Sequence, residues 1–166
     1  MIEAGVSLRD RVAAFYAYET MLLDENWLRE WLDVCDAEIR YVMPMRETRL
    51  GPPSSNPYPP FYLYNDDKSS LETRVARLET GMALVESPPA AAQRLVTDVH
   101  VVRSDASSVE ARSSFIAVQV RDEQNETQFT GRRTDHLRIV DGGFRIVRRD
   151  ILLVHYVLSR TISMFF

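Results

Sequence analysis

The chain has 166 residues, of which 45% are hydrophobic, and a formal net charge of −4 at neutral pH. This size and composition predict a single domain, residues 1–166, with a core of its own. The acidic balance argues against a nucleic-acid partner, and the sequence has neither a long uncharged apolar run nor a signal peptide, so we expect no membrane partner and a cytoplasmic location.

Helical spacing predicts two helices at the start of the chain. Ser7 is a capping residue, and apolar side chains then recur at helical spacing from about Leu8 to Leu23. The polar residues 24–26 interrupt this pattern and are suited to cap a second, shorter helix. The apolar face of that second helix contains Trp27, Leu28, Trp31 and Leu32.

The spacing of apolar residues changes to two at Ala37 and keeps this period to Met45. A first strand is therefore predicted, and Pro44 indicates an edge or a bulge near its end. The segment from Gly51 to Pro60 is rich in proline, which predicts a stiff loop suited to be a contact arm.

A third helix is predicted from a cap at Ser69 or Ser70 to a glycine stop at Gly81. Strand-like spacing follows in four segments, namely Gln93 to Arg103, Ser107 to Asp122, Phe129 to Val140 and Phe144 to Leu158. The last two form a hairpin, because the Asp-Gly-Gly sequence at 141–143 tolerates the positive φ of tight turns. The predicted fold class is α+β, a curved and mostly antiparallel β-sheet wrapped on three N-terminal helices.

Two of these strands have unusual apolar patterns. In the segment from Ser107 to Asp122 the apolar residues change phase, which predicts a bulge and a bent sheet. From Ile151 to Leu158 the chain is apolar on both faces, which predicts that protein covers both sides of this strand.

Most motifs that carry chemistry are missing from the sequence. The three histidines, His100, His136 and His155, stand far apart, and the single cysteine, Cys35, lies among apolar residues as a core side chain would. Glycine-rich nucleotide loops and a Gly-x-Ser-x-Gly nucleophile motif are not found. We therefore assign no catalytic, cofactor-binding or metal-binding residue.

One enzymatic alternative stays open, a stand-alone isomerase or dehydratase that transfers protons on a small apolar molecule. A curved sheet with helices in its concavity can enclose a pocket for such chemistry. Side chains of the right type are Tyr16, Tyr41, Asp98, His100, Asp135 and Asp150. Bulky side chains that fill the concavity would favour a structural protein, and an open pocket with Asp or His at its base would favour the enzyme.

Arginines are concentrated on the predicted hairpin, while Lys68 is the only lysine. They form either a solvated outer face or a surface that pairs with carboxylates of another subunit. The residues we expect at such an interface are Pro52, Pro53, Tyr58, Arg132, Arg133, Arg148, Arg149, Met164, Phe165 and Phe166. The last three are included because bulky apolar residues at a chain end are rarely left in water.

An ordered set of short runs along nearly the whole chain resembles a known family. The runs are Glu19 to Glu25, Trp31-Leu32, Ile39 to Pro44, Asp66-Asp67, Arg74 to Gly81, Glu86 to Pro89, Gly131 to Arg133, Arg149 to Leu153 and Ile162 to Phe166. Together they are similar to the small (beta) subunits of bacterial aromatic-ring-hydroxylating dioxygenases. The sequence departs from the usual family pattern at residues 90–95 and 154–158.

The resemblance implies an NTF2-like, or cystatin-like, fold and a structural subunit without a cofactor of its own. It also implies partners: a large alpha subunit with a Rieske [2Fe-2S] cluster and a mononuclear Fe(II), further copies of this chain in an alpha3beta3 assembly, and a ferredoxin or reductase acting indirectly. The complex as a whole would dihydroxylate an aromatic compound with O2 and electrons derived from NADH.

Overall fold

A computed structural model describes residues 6–45, 61–80, 91–120, 126–154, 162 and 164–166 of the chain. Within these ranges the elements are α1 (Leu8–Asp24), α2 (Leu28–Val34), β1 (Cys35–Pro44), β2 (Tyr62–Asp66), α3 (Lys68–Glu79), β3 (Ala91–Ser104), β4 (Ser108–Val120), β5 (Glu126–Val140) and β6 (Gly143–Leu153). The strands form one curved, unclosed sheet in the order β2-β1-β6-β5-β4-β3, in which the β1–β6 pair is parallel and the other pairs are antiparallel. The predicted α+β class is confirmed.

The helix starts follow from local capping chemistry. Ser7 caps α1 as predicted, since its Oγ accepts a hydrogen bond from the Asp10 N–H at 3.1 Å. The prediction of Ser69 or Ser70 as the α3 cap is wrong. Asp67 is the cap, and its carboxylate accepts from the Ser70 N–H at 2.9 Å. The predicted stop at Gly81 lies outside the described residues.

The turn between α1 and α2 does not cap the second helix with a polar side chain. Asn26 takes a positive φ of 59°, and the residue at the N-cap position is Trp27, which forms no side-chain cap. The end of α2 is stabilised instead by Lys68, whose Nζ donates to the carbonyl oxygens of Leu32 and, at 3.0 Å, of Cys35. The chain's only lysine therefore links the start of α3 to the end of α2.

The hairpin is confirmed and lies in the middle of the sheet. Asp141 and Gly142 both have positive φ, at 44° and 79°, as a tight turn that matches strand twist requires. Strand β6 pairs with β5 on one side and with β1 on the other. Of the predicted two-sided apolar arm, Ile151 and Leu153 are buried and Val154 is exposed, while residues 155–161 lie outside the described part.

The bulges do not all lie where the sequence predicts them. Pairing is irregular next to Pro44, as predicted. The bulge predicted in the segment from Ser107 to Asp122 is wrong, because β4 pairs with β5 without a break. Irregular pairing is found instead in β3, where Asp98 has a φ of 51°, and where β6 pairs with β1 and with β5. Apolar residues such as Ile116 are exposed on the outer face of β4. Because apolar residues therefore occur on both faces of this strand, the sequence pattern indicates a bulge that is not there.

Strand β2 is absent from the predictions, because its five residues are too few to show a period. The three helices cover one face of the sheet, and the core contains side chains from both layers. No helix of the described ranges combines the length and the apolar character that a membrane crossing needs.

Gly131 in β5 is a position where any side chain would collide with its neighbours. A Cβ there would lie 2.7 Å from the Leu152 carbonyl oxygen and 2.8 Å from Cζ of Phe115. We expect Gly131→Ala to lower the free energy of unfolding by about 1–3 kcal/mol, because backbone of the adjacent strand must move. Urea denaturation measures this loss. Gly143→Ala is the matched control, since its Cβ meets only an ordinary contact at 3.6 Å; equal losses in both variants would contradict the prediction.

Candidate functional site

The space between the helices and the sheet is filled by the last residues of the sequence. The Phe165 ring stacks on Trp31 with 4.4 Å between ring centroids, and the Phe166 ring lies 5.3 Å from Phe115 and 5.5 Å from Phe129. Both phenylalanines are almost completely buried. The concavity that could hold a substrate in an enzyme is therefore occupied by the chain itself.

A fully buried charge cluster lies beside this aromatic packing. Arg149 of β6 binds Asp135 of β5 through two hydrogen bonds of 2.8 and 2.9 Å, and it binds Glu19 of α1 in the same bidentate way, with one bond of 2.9 Å. Arg133 adds a second positive charge 3.3 Å from Glu19, and its guanidinium lies 4.5 Å from the centroid of the Tyr16 ring. Two carboxylates thus meet two guanidiniums, so the buried charges balance.

The cluster is assembled by the periodicity of three elements. Glu19 lies on the same face of α1 as the buried residues Tyr16 and Leu22. Asp135 in β5 and Arg149 in β6 are cross-strand partners in the register, and both point to the helix side of the sheet. The Trp31 indole also donates to Glu19, at 3.2 Å.

The electrostatics of the cluster keep its members in one protonation state. Burial alone would raise the pKa of Glu19 and of Asp135, but Arg149 and Arg133 outweigh it and hold both pKa values below their usual range. Burial raises the pKa of Tyr16 well above its usual value and that of Cys35 to about 12. A general acid or base works best with a pKa near the operating pH. The pKa values of these four groups are all shifted away from neutral pH.

The stability of the chain should depend on pH through Glu19 and Asp135. The pKa values of these two carboxyl groups are lower in the folded state than in the unfolded chain. Their contribution to the free energy of unfolding is therefore complete above about pH 5, and it is lost as the pH falls through the pKa values of the folded state. We expect urea denaturation at a series of pH values to show this loss. In the Glu19→Gln variant the free energy of unfolding should change less steeply with pH than in the wild type. Glu25→Gln, at an exposed position, is the control that should keep the wild-type steepness. If the free energy of unfolding depended on pH equally steeply in both variants, Glu19 would not be a source of the pH dependence.

The opposite, outer face of the sheet carries a groove of about 790 Å³ with arginine side chains in its wall. Arg148 forms a bidentate pair with Asp150, at 2.6 and 2.7 Å, whereas Arg112 and Arg132 form no ion pair with the other described residues. Apolar side chains on the same face of the sheet, among them Leu95 and Ile116, are exposed. A surface of this kind suits contact with carboxylates of a partner protein.

The structure separates the six residues of the alternative pocket enzyme. Tyr16, Tyr41 and Asp135 are buried on the helix side, and each is in contact with the chain's own side chains or main chain. Asp98, His100 and Asp150 line the groove on the outer face. Because the two sets lie on opposite faces of the sheet, they do not form one proton-transfer site.

The predicted interface residues also divide into groups. Arg132 and Arg148 are exposed, whereas Arg133 and Arg149 are buried and pair with carboxylates of this chain. Met164, Phe165 and Phe166 are buried in the chain's own core. Pro52, Pro53 and Tyr58 lie outside the described residues.

Glu19 is missing from the sequence predictions of site residues, although a signal for it exists. Its spacing from Tyr16 and Leu22 places a carboxylate on the apolar side of a helix, where a buried partner of opposite charge is required. Among the described residues, no three His, Cys, Asp or Glu side chains are grouped so that they could hold a metal ion.

Comparison with known proteins gives a consistent result. A family described as "Ring hydroxylating beta subunit" matches residues 18–160. A structure of naphthalene 1,2-dioxygenase with indole bound in the active site is similar over 99% of this chain and 89% of that chain, with a TM-score of 0.87 and 22% identity. The beta subunit of benzoate 1,2-dioxygenase from Burkholderia mallei covers 89% of this chain and 91% of its own, with a TM-score of 0.69 and 21% identity.

An NTF2-like protein with a cystatin-like fold, from Novosphingobium aromaticivorans, is also similar. The match covers 95% of this chain and 89% of that protein, with a TM-score of 0.59 and 10% identity. At these identities the structural likeness shows the fold, and the predicted NTF2-like, cystatin-like architecture is confirmed.

Proposed function

The chain belongs to the ring-hydroxylating beta subunit family, and on that premise we propose that it is a structural subunit that assembles and stabilises the catalytic alpha subunits of an aromatic-ring-hydroxylating dioxygenase. The observation that supports a structural role is the filled concavity. Phe165 and Phe166 occupy the space in which a substrate would bind, and the adjacent charged groups neutralise one another. Dihydroxylation of the aromatic compound then takes place on the partner.

The redox centres belong to the alpha subunit in this proposal. A Rieske [2Fe-2S] cluster needs two cysteine and two histidine ligands, and this chain has one cysteine, Cys35, which is buried and whose pKa is raised to about 12 by that burial. The donor set of this chain does not fit such a cluster. The alpha subunit would hold the cluster and the mononuclear Fe(II), and would take electrons from a ferredoxin or reductase. The free thiol of Cys35 agrees with a cytoplasmic location.

We assign the contact with partner subunits to the outer face of the sheet, around the arginine-lined groove. Arg112 and Arg132 have no acidic partner in the described part of the chain, so carboxylates of another subunit would complete their pairing. Arg148 lies in the same wall and is exposed. The predicted contact arm with Pro52, Pro53 and Tyr58 stays part of this proposal.

Co-expression with a large iron-sulfur subunit tests the proposal directly. We expect a stable hetero-oligomer with equal numbers of the two chains, and a trimer or aggregate when this chain is expressed alone, both measured by size exclusion with light scattering. Arg132→Glu should weaken the hetero-oligomer at least about tenfold, because it places like charges together. Arg77→Glu, the same change at an exposed position of α3, should not. If this chain is a stable monomer and does not bind the large subunit, the proposal is ruled out.

A further inference from the structure

The segment Met164 to Phe166 is bound by the rest of the chain in the way that a protein binds a peptide ligand. The main-chain oxygen of each of its three residues accepts from a side chain of another element: Met164 from Tyr64 at 3.0 Å, Phe165 from Arg94 at 2.8 Å, and Phe166 from Tyr41 at 3.0 Å. These donors lie on three different strands.

The end of the segment is held most tightly. The Phe166 N–H donates to the Tyr41 hydroxyl at 2.7 Å, and the Phe166 main-chain oxygen also accepts from Arg149 Nη1 at 2.7 Å. Arg149 is completely buried, and Glu19 and Asp135 fix its orientation. The orientation of Arg149 therefore does not depend on Phe166, so this donor is preorganised for its acceptor.

Arg94 is oriented in the same manner. Its Nη1 donates to Asp24 at 2.5 Å, and its side chain is only 6% exposed. The site thus combines two buried, charge-oriented arginines with two tyrosine hydroxyls, and it adds two ring pockets, one beside Trp31 and one between Phe115 and Phe129. Fixed polar donors around apolar pockets are the usual composition of a ligand site.

We propose that the helix-facing side of this sheet is a peptide-binding site for an extended segment with two consecutive aromatic residues, and that it binds the Met-Phe-Phe sequence without a covalent connection to β6. The chain fills the site with its own residues 164–166. A free peptide of the same sequence binds only when the chain's own Phe165 and Phe166 side chains are removed. This inference does not rest on the proposed function, since none of its contacts involves a partner subunit.

The test uses the full chain with Phe165→Ala and Phe166→Ala combined, and the free peptide Ile-Ser-Met-Phe-Phe as the probe. We expect saturable binding by calorimetry. At about 100 times its Kd the peptide should raise the Tm of the variant by roughly 5–10 °C. The wild-type chain, whose site is filled, should show no shift at the same concentration. The peptide Ile-Ser-Met-Ala-Ala should have no effect on either chain.

A second variant controls for the loss of two large apolar side chains. Leu95→Ala with Ile116→Ala removes two exposed residues of the outer face and leaves the site occupied, so it should not respond to the peptide. If the Phe165→Ala and Phe166→Ala variant is unfolded alone, recovery of its circular dichroism with the peptide supports the proposal. A variant that stays unfolded with excess peptide, or that is folded and does not bind, overturns it. An equal response of the outer-face variant also overturns it.

Discussion

Replacing Arg149 with methionine should lower the free energy of unfolding by about 3–5 kcal/mol. The side chain is completely buried, and it is the residue that joins Glu19 to Asp135. Without it the two carboxylates share the single charge of Arg133, so one buried negative charge is left without a partner. Urea denaturation at pH 7 measures the loss. The loss is large because one buried charge has no partner, and not because the ion pair itself contributes that much to the free energy of unfolding.

The neighbouring residue provides the control for this prediction. Arg148 carries the same side chain on the same strand, but it is exposed and pairs with Asp150 at the surface. Arg148→Met should change the free energy of unfolding by less than about 1 kcal/mol, because solvent screens surface ion pairs. Similar losses in the two variants would mean that the buried cluster is not what stabilises this part of the sheet.

Phe165→Ala should lower the free energy of unfolding by about 3–5 kcal/mol, since it removes a buried ring and leaves a cavity. The ring stacks on Trp31 and also contacts Tyr41 and Tyr64 edge-on or at a tilt. For a chain of this length each kcal/mol corresponds to about 2–4 °C in Tm. Thermal unfolding followed by circular dichroism gives the value.

Phe61 is the matched control, because its ring is 69% exposed. Phe61→Ala should cost less than about 0.5 kcal/mol. If Phe165→Ala were equally mild, the aromatic packing beside Trp31 would contribute little to the fold. That result would also argue against the proposed peptide site, because the ring pocket beside Trp31 would contribute little free energy of binding.

The burial of Phe165 and Phe166 changes how an assembly experiment must be designed. Deletion of both residues is expected to weaken the oligomer if they contact a partner. It is also expected to weaken it if the deletion only destabilises the subunit. Assembly and Tm therefore have to be measured on the same variant, and a loss of assembly without a loss of Tm is the result that indicates a direct contact.

Much of the fold follows from the sequence, because local periodicity is a local property. The helical spacing after Ser7 and the Asp-Gly-Gly turn lead to α1 and to the central hairpin, with the bounds of α1 and the two strand ends at the turn correct to about one residue. The predicted end of the second arm at Leu158 lies outside the described residues. Strand β2 and the bulge in β3 do not follow from it. A short edge strand has no period to read, and exposed apolar residues on β4 conceal the true phase of that strand.

The sequence by itself determined the α+β class, the resemblance to dioxygenase beta subunits and the concentration of arginines on the hairpin. Only the tertiary structure decided which arginines face inward. Strand alternation puts neighbours such as Arg148 and Arg149 on opposite faces, but it does not say which one is buried. That choice depends on Glu19, which lies 130 residues from Arg149 in the chain and supplies the carboxylate that makes a buried guanidinium stable. The Phe166 main-chain oxygen likewise accepts a hydrogen bond from Tyr41, 125 residues away in the chain, and no local pattern of the sequence indicates this contact.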